Sequence, residues 1–290
     1  MKLIEPKEQH IDLNGRRFHY LDWGNNEEQS LFLLHGFMGH AHVWDDFALI
    51  FRKDYHVIAL DQRGHGESQW SKEAAYTIYD YFLNISSFVE TLQMGQFILM
   101  GHSMGGRNAL FYAACSPQKV EKLILVDARP RNNPKGSEEL RRHLIHLSLM
   151  ANSFDEVGKA IQTLYPCLSE EICQQIARYG YKKGQDGKYV LKCDARMGLD
   201  SERSGYIVED LWPFLKNVNS PTLIIRGKDS PFLSLEEARK MCHLIPKAEL
   251  KEIPQATHMP LQENFRVFVG VVSQFLRSKK QRYTSNADRK

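Results

Sequence analysis

The sequence predicts a mostly parallel α/β sheet of eight strands with helices on both faces, and three observations carry that expectation. Short apolar runs alternate with helical patterns through most of the chain. A Gly-X-Ser-X-Gly run, Gly101-His102-Ser103-Met104-Gly105, stands between one such apolar run and a helix-compatible segment. The chain has 290 residues, 42% of them hydrophobic, and no low-complexity block, which suffices for one large domain with an insertion.

The elements follow in order. Two short strand patterns, residues 10–13 and 17–20, flank Asn14-Gly15, a dipeptide whose two positions tolerate the positive φ of a tight hairpin turn. Apolar strand runs follow at 30–34, 56–60, 97–100, 122–126 and 222–225, and a more charged strand pattern at 249–253. Runs without polar alternation belong to strands buried on both faces, as in a parallel sheet. Helical patterns lie between and after them at about 43–51, 76–92, 107–115, 235–243 and 264–276. The interval from Pro130 to Tyr206 breaks this rhythm. It is helix-rich and charged (Arg141, Arg142, His143), then turns through Gln185-Asp186-Gly187-Lys188, a hairpin signal. It reads as a helical cap inserted after the sixth strand, over the carboxyl ends of the strands where α/β sites lie. The expected plan is a core at 1–129 and 206–278, a cap at 130–205, and a flexible basic tail at 279–290 containing Lys279, Lys280, Arg282, Arg289 and Lys290.

Composition excludes several classes of partner. A formal net charge of +3 lacks the clustered basic surface that nucleic-acid binding requires. No apolar run approaches the ~20 residues of a membrane span, and the N-terminus carries no signal-peptide pattern, so a soluble, cytoplasmic protein is expected. The five cysteines, Cys115, Cys167, Cys173, Cys193 and Cys242, are odd in number with no Cys-X-X-Cys pair, which favours reduced thiols. His143 and His146 lie three apart without an acidic or cysteine companion and read as a solvated helix face, so no metal is expected. The expected assembly is a monomer or homodimer.

The apolar run into Ser103 followed by a helix is the pattern of a nucleophile elbow, a sharp strand-to-helix turn with the serine at its apex. A serine hydroxyl is a weak nucleophile and needs a base, a group to orient that base, and donors for the oxyanion. His258, in Ala256-Thr257-His258-Met259-Pro260, follows the last strand pattern and precedes the last helix, at the same sheet edge as the elbow; it is the candidate base. The oxyanion donors are expected to be the main-chain N–H groups of Met104, after the nucleophile, and Phe37, in His35-Gly36-Phe37-Met38-Gly39 after the third strand.

These residues resemble the α/β-hydrolase superfamily. The likeness extends over essentially the whole chain: His35 to Gly39 looks like its oxyanion loop, Asp61-Gln62-Arg63-Gly64-His65-Gly66-Glu67-Ser68 like its Asp-X-Arg-Gly-X-Gly-X-Ser loop, and Gly101 to Gly106 like its elbow. In most of the superfamily the acid follows the seventh strand, usually three residues after a glycine, but here that position is Ser230, in Gly227-Lys228-Asp229-Ser230-Pro231-Phe232. The segment resembles instead a subgroup of small bacterial and mitochondrial carboxylesterases that take the acid from the loop after the sixth strand. The matching residue is Asp127, and Asp229 stays open as the alternative acid. Asp61 and Arg63 are expected to brace their loop.

The resemblance implies acyl transfer on a small or medium carboxylic ester, with Ser103, His258 and Asp127 in the triad and no cofactor. Leu144, Leu147, Leu149, Met150, Phe154, Leu164, Tyr165 and Leu168 supply apolar surface for roofing a pocket or for packing the cap on itself. Other readings stay open: a C–C bond hydrolase, disfavoured by Met259 where such enzymes commonly carry tryptophan; a perhydrolase or haloperoxidase; and a non-catalytic ligand-binding receptor. Ser103 excludes the usual dehalogenase and epoxide hydrolase, which place aspartate at the elbow.

Overall fold

The computed structural model describes residues 4–131, 151–197 and 210–278. Arg141, Arg142, His143, His146, Leu144, Leu147, Leu149, Met150 and the basic tail fall outside those residues, as does the expected end of the cap at 205. The main sheet contains β1 (Lys7–Leu13), β2 (Arg16–Asp22), β3 (Ser30–Leu34), β4 (His56–Leu60), β5 (Phe97–His102), β6 (Val120–Val126), β9 (Thr222–Gly227) and β10 (Ala248–Ile253). Its eight strands run in the order β1-β2-β4-β3-β5-β6-β9-β10. The first two pairings are antiparallel and the remainder parallel.

The helices are α1 (Asp45–Phe51), α2 (Ile78–Thr91), α3 (Met104–Cys115), α4 (Phe154–Leu164), α5 (Glu170–Gly180), α6 (Leu235–Leu244), α7 (Pro260–Glu263) and α8 (Phe265–Arg277). Their starts follow from local chemistry. Thr77 and Asp80 close a capping box on α2, Ser234 and Glu237 do the same on α6, and Pro260 opens α7, where its missing N–H costs nothing. Both faces of the sheet are covered. Phe32 and Leu34 of β3 pack with Phe88 of α2 and Tyr112 of α3, whereas Leu31 and Leu33 pack with Trp44, Phe47 and Phe268 on the other side. That alternation explains why the run Ser30 to Leu34 is apolar throughout.

Two expected helices are displaced. The single pattern at 43–51 divides into a 3-10 turn, Ala41–Trp44, and α1. Helix α3 begins at Met104 rather than 107 because Gly105 and Gly106, poor helix formers by propensity, sit where a side chain has no room.

The described part of the insertion, 151–197, contains α4, α5 and a hairpin of β7 (Tyr181–Lys183) and β8 (Tyr189–Leu191) around the expected turn. Val157, Ile161, Leu168, Cys173, Ala177 and Tyr181 form its own buried cluster, so Leu168, Phe154 and Tyr165 serve packing within the insertion. Contacts at several points tie it to the rest of the chain, among them the following. The His42 ring stacks on Tyr179 of α5 with centroids 3.7 Å apart. The Asp194 N–H donates to the Gly64 carbonyl at 2.9 Å, while the Asp194 carboxylate accepts from the Tyr76 hydroxyl and pairs with Arg196, whose guanidinium reaches the Ser71 carbonyl at 2.5 Å. Among the described residues no helix is long and apolar enough to cross a membrane.

Candidate active site

Ser103 occupies the junction of β5 and α3 with φ 52° and ψ −115°. A non-glycine residue in that region is strained by about 1–3 kcal/mol, and the surrounding structure has to impose it. Here it does. The Ser103 N–H is held by the Val126 carbonyl of β6 at 2.9 Å, and a Cβ on Gly105 would overlap the Leu34 carbonyl. The chain turns sharply because β3, β5 and α3 meet with no space for side chains, and the hydroxyl is left at the carboxyl edge of the sheet.

His258 lies in the loop between β10 and α7. Its Nε2 is 3.0 Å from the Ser103 Oγ, and its Nδ1 is 2.7 Å from Oδ2 of Asp127. The Phe232 ring packs on the imidazole with centroids 4.0 Å apart. Glu263 secures the loop, accepting from the Thr257 N–H and hydroxyl at 2.6 Å each.

Asp127 directly follows β6 with φ 43°, its N–H held by the Ile225 carbonyl at 2.7 Å and its side chain fully buried. A buried carboxylate needs donors, and three surround it. The Gly227 N–H donates to Oδ1 at 3.2 Å, the Ser230 hydroxyl to Oδ2 at 2.6 Å, and His258 faces Oδ2. The Ser230 Oγ in turn accepts the N–H groups of Phe232 and Leu233 at 3.1 and 3.2 Å, which directs its own proton towards Asp127. Asp229 is placed otherwise: it is exposed, its N–H bonds the Ala256 carbonyl at 2.9 Å, and among the described residues its carboxylate is not brought to His258. The physical reason is the turn after β9, which points Ser230 inward and Asp229 to solvent.

The loop bearing Phe37 lies beside the elbow, so close that a Cβ on Gly36 would come 3.3 Å from the Ser103 Cβ. Buried groups brace it from below. His35 donates from Nδ1 to the Gly36 carbonyl at 2.7 Å and accepts the Gln62 N–H on Nε2 at 2.9 Å. Burial pushes the His35 imidazole down to about 4, so it is neutral and holds that tautomer. Asp61 gathers the Ala41 and Glu67 N–H groups and the His19 imidazole at 2.6, 2.9 and 2.7 Å. Although burial opposes ionisation, those partners, His19 foremost, hold the carboxyl below its ordinary range. Arg63 pairs with Asp80 at 2.8 Å. Met104, the first residue of α3, has a main-chain N–H outside the helical ladder.

Beside the elbow, Phe37 and Met104 share an apolar cluster with Met38, Tyr76 and Tyr81, joined by Leu164, Leu191, Cys193 and Met197 from the insertion. Of the expected roofing residues, Leu164 alone among the described ones joins this cluster; the others belong to the insertion's own cluster, against which Met259, next to His258, also packs. Among the described residues no group of three or more histidine, cysteine or acidic side chains is arranged to hold a metal.

Sequence reasoning gave Ser230 and His102 no part in the site. Ser230 stands three residues after Gly227, so the departure from the superfamily's usual acid position was itself the signal. His102, adjacent to Ser103, donates from Nε2 to the His258 carbonyl at 2.7 Å, and nothing in the motif marks that contact.

The family model described as the alpha/beta hydrolase fold matches residues 29–161, from β3 through the elbow into the insertion. The chain has the α/β-hydrolase fold. It is similar to the 2-(acetamidomethylene)succinate hydrolase of Mesorhizobium japonicum, 26% identical over 246 residues, covering 85% of this chain and 87% of the relative. An sn-1-specific diacylglycerol lipase of Mus musculus is 22% identical over 262 residues, 85% of this chain and 80% of that one. The crystal structure of E-2-(acetamidomethylene)succinate hydrolase superposes with a TM-score of 0.85 at 24% identity, covering 94% of this chain and all of the other. The names of such superfamily relatives cover more than one chemistry, and fold and relatives together indicate a hydrolase.

Proposed function

We propose that the chain is a serine hydrolase that cleaves small or medium carboxylic esters through an acyl-enzyme. The observation that carries this reading is the chain of contacts from the Ser103 Oγ through the His258 imidazole to the buried Asp127 carboxylate, at 3.0 and 2.7 Å. His258 takes the serine proton as Oγ attacks the ester carbonyl. Asp127 orients the imidazole and stabilises the imidazolium. The N–H groups of Phe37 and Met104 receive the tetrahedral oxyanion, each donor lowering the barrier by about 3 kcal/mol. His258 then protonates the leaving alcohol, and water repeats the sequence on the acyl-enzyme. The insertion serves as a cap, and the apolar cluster around Phe37, Met104 and Leu164 favours an uncharged acyl or alcohol group beside the oxyanion.

The test is turnover of short-chain p-nitrophenyl esters by the purified chain and its Ser103→Ala variant, together with the mass of any fluorophosphonate adduct. Turnover and labelling present in the parent and absent in the variant establish the reading. Labelling without turnover redirects it to a receptor or to another acyl chemistry such as peroxide-dependent exchange, and no labelling refutes it.

A further inference from the structure

His102 precedes the nucleophile, and the mechanism above does not use its imidazole. The ring stands between the two loops that the reaction needs. On one edge, a Cβ on Gly36 of the oxyanion loop would lie 2.7 Å from Nδ1. On the other, Nε2 is 2.7 Å from the main-chain oxygen of His258, and the two rings are 4.8 Å apart between centroids. A carbonyl oxygen only accepts, so the proton of the neutral ring resides on Nε2. Desolvation pushes the imidazole down to about 3, with the neighbouring His258 adding to the effect, so His102 stays neutral while His258 gains and loses its proton.

The loop from Pro254 to Met259 is irregular, with Gln255 at φ 54°. Apart from the bonds of the His258 side chain to Asp127 and Ser103, its other ties hold it to its own side of the sheet: the N–H groups of Lys228 and Asp229 bond Ile253 and Ala256, Asn264 bonds the Pro254 carbonyl, and Glu263 holds Thr257 and Met259. Among the described hydrogen bonds to the main chain of this loop, the contact from His102 is the one that comes from β5, a single residue from Ser103.

We propose that His102 is a positioning residue whose Nε2–H, bonded to the His258 carbonyl, fixes the backbone of the base against the strand of the nucleophile while its opposite edge seats the oxyanion loop. This rests on the serine hydrolase reading. Displacements of about 1 Å at a reacting centre cost up to ~100-fold in rate, so the bond acts on kcat and leaves ground-state binding alone.

Two variants of the full chain test it. His102→Phe keeps an aromatic ring and removes the donor; His102→Gln keeps an N–H donor. On p-nitrophenyl acetate, Phe lowers kcat about 10- to 100-fold with KM within about twofold, and Gln recovers most of the loss. In the proton spectrum, the downfield Nδ1–H resonance between His258 and Asp127 persists in Gln and shifts or broadens in Phe. Wild-type kcat in Phe, a change confined to KM, or equal impairment of folded Gln and Phe overturns the proposal. If Phe fails to fold, Gln decides: near-parental kcat supports the role of the donor, and a loss like that of an Ala variant refutes it. A parent silent on every ester counts against the serine hydrolase reading instead, and the resonance then decides whether His102 positions His258.

Discussion

The hydroxyl of Ser230 donates a 2.6 Å hydrogen bond to the same Asp127 oxygen, Oδ2, that faces the His258 Nδ1. A neutral donor therefore shares the carboxylate with the imidazole and fixes its plane. Ser230→Ala leaves the carboxylate one donor short and frees two N–H groups, those of Phe232 and Leu233. Kcat on a p-nitrophenyl ester falls about tenfold, and denaturant unfolding shows a loss of about 1–3 kcal/mol.

The two candidate acids separate by substitution. Asp127→Asn preserves shape but reverses the donor pattern at Nδ1, and kcat drops by about four orders of magnitude with an unchanged circular dichroism spectrum. Asp229→Asn, at an exposed position, turns over at the parental rate. The opposite ranking assigns the acid to Asp229.

Gly227 ends β9 directly below the loop of His258, and a Cβ there would overlap the Thr257 carbonyl oxygen. Gly227→Ala has to push that loop outward. It costs about 1–3 kcal/mol in denaturant unfolding and lowers kcat, because the displaced segment carries the base. Gly95→Ala is the control: nothing lies within 4 Å of its added methyl, and both readings stay at the parental value.

Burial pushes three further histidines down, His35 to about 4 and His40 and His65 to about 3. In the unfolded chain each titrates near 6.5. Between those values the unfolded state binds more protons, so stability rises with pH. Their contribution is complete above about pH 6.5 and is lost as pH falls towards 4, at about 1.4 kcal/mol per pH unit for each imidazole. Midpoints of urea unfolding between pH 7 and 4.5 measure it; a midpoint constant across that range removes these histidines from the pH dependence.

Much of the sheet was legible because its strands are buried on both faces: Ser30–Leu34 and His56–Leu60 have the bounds that their apolar runs predict. Lys7, Glu8 and Gln9 of β1 were not, since an edge strand facing solvent needs no apolar pattern. The hairpin strands Tyr181–Lys183 and Tyr189–Leu191 are three residues each, too short for periodicity, and only their turn showed. The positions of Ser103 and His258 are marked by a motif and by chain order. The contacts of Ser230 and His102 depend on how β6, β9 and β10 stack, and no local pattern encodes that.

The parallel order β5-β6-β9-β10 gathers the site from segments far apart in the chain. A chain that ends at β9 contains Ser103, Asp127 and the Gly227 N–H that faces the carboxylate in the full structure. The imidazole is still missing. His258 arrives when β10 pairs with β9 and the 2.7 Å contact with His102 forms, more than 150 residues after the elbow. The contacts around Ser103 therefore require the chain through residue 258, and premature termination before that residue leaves the serine without the imidazole that faces it.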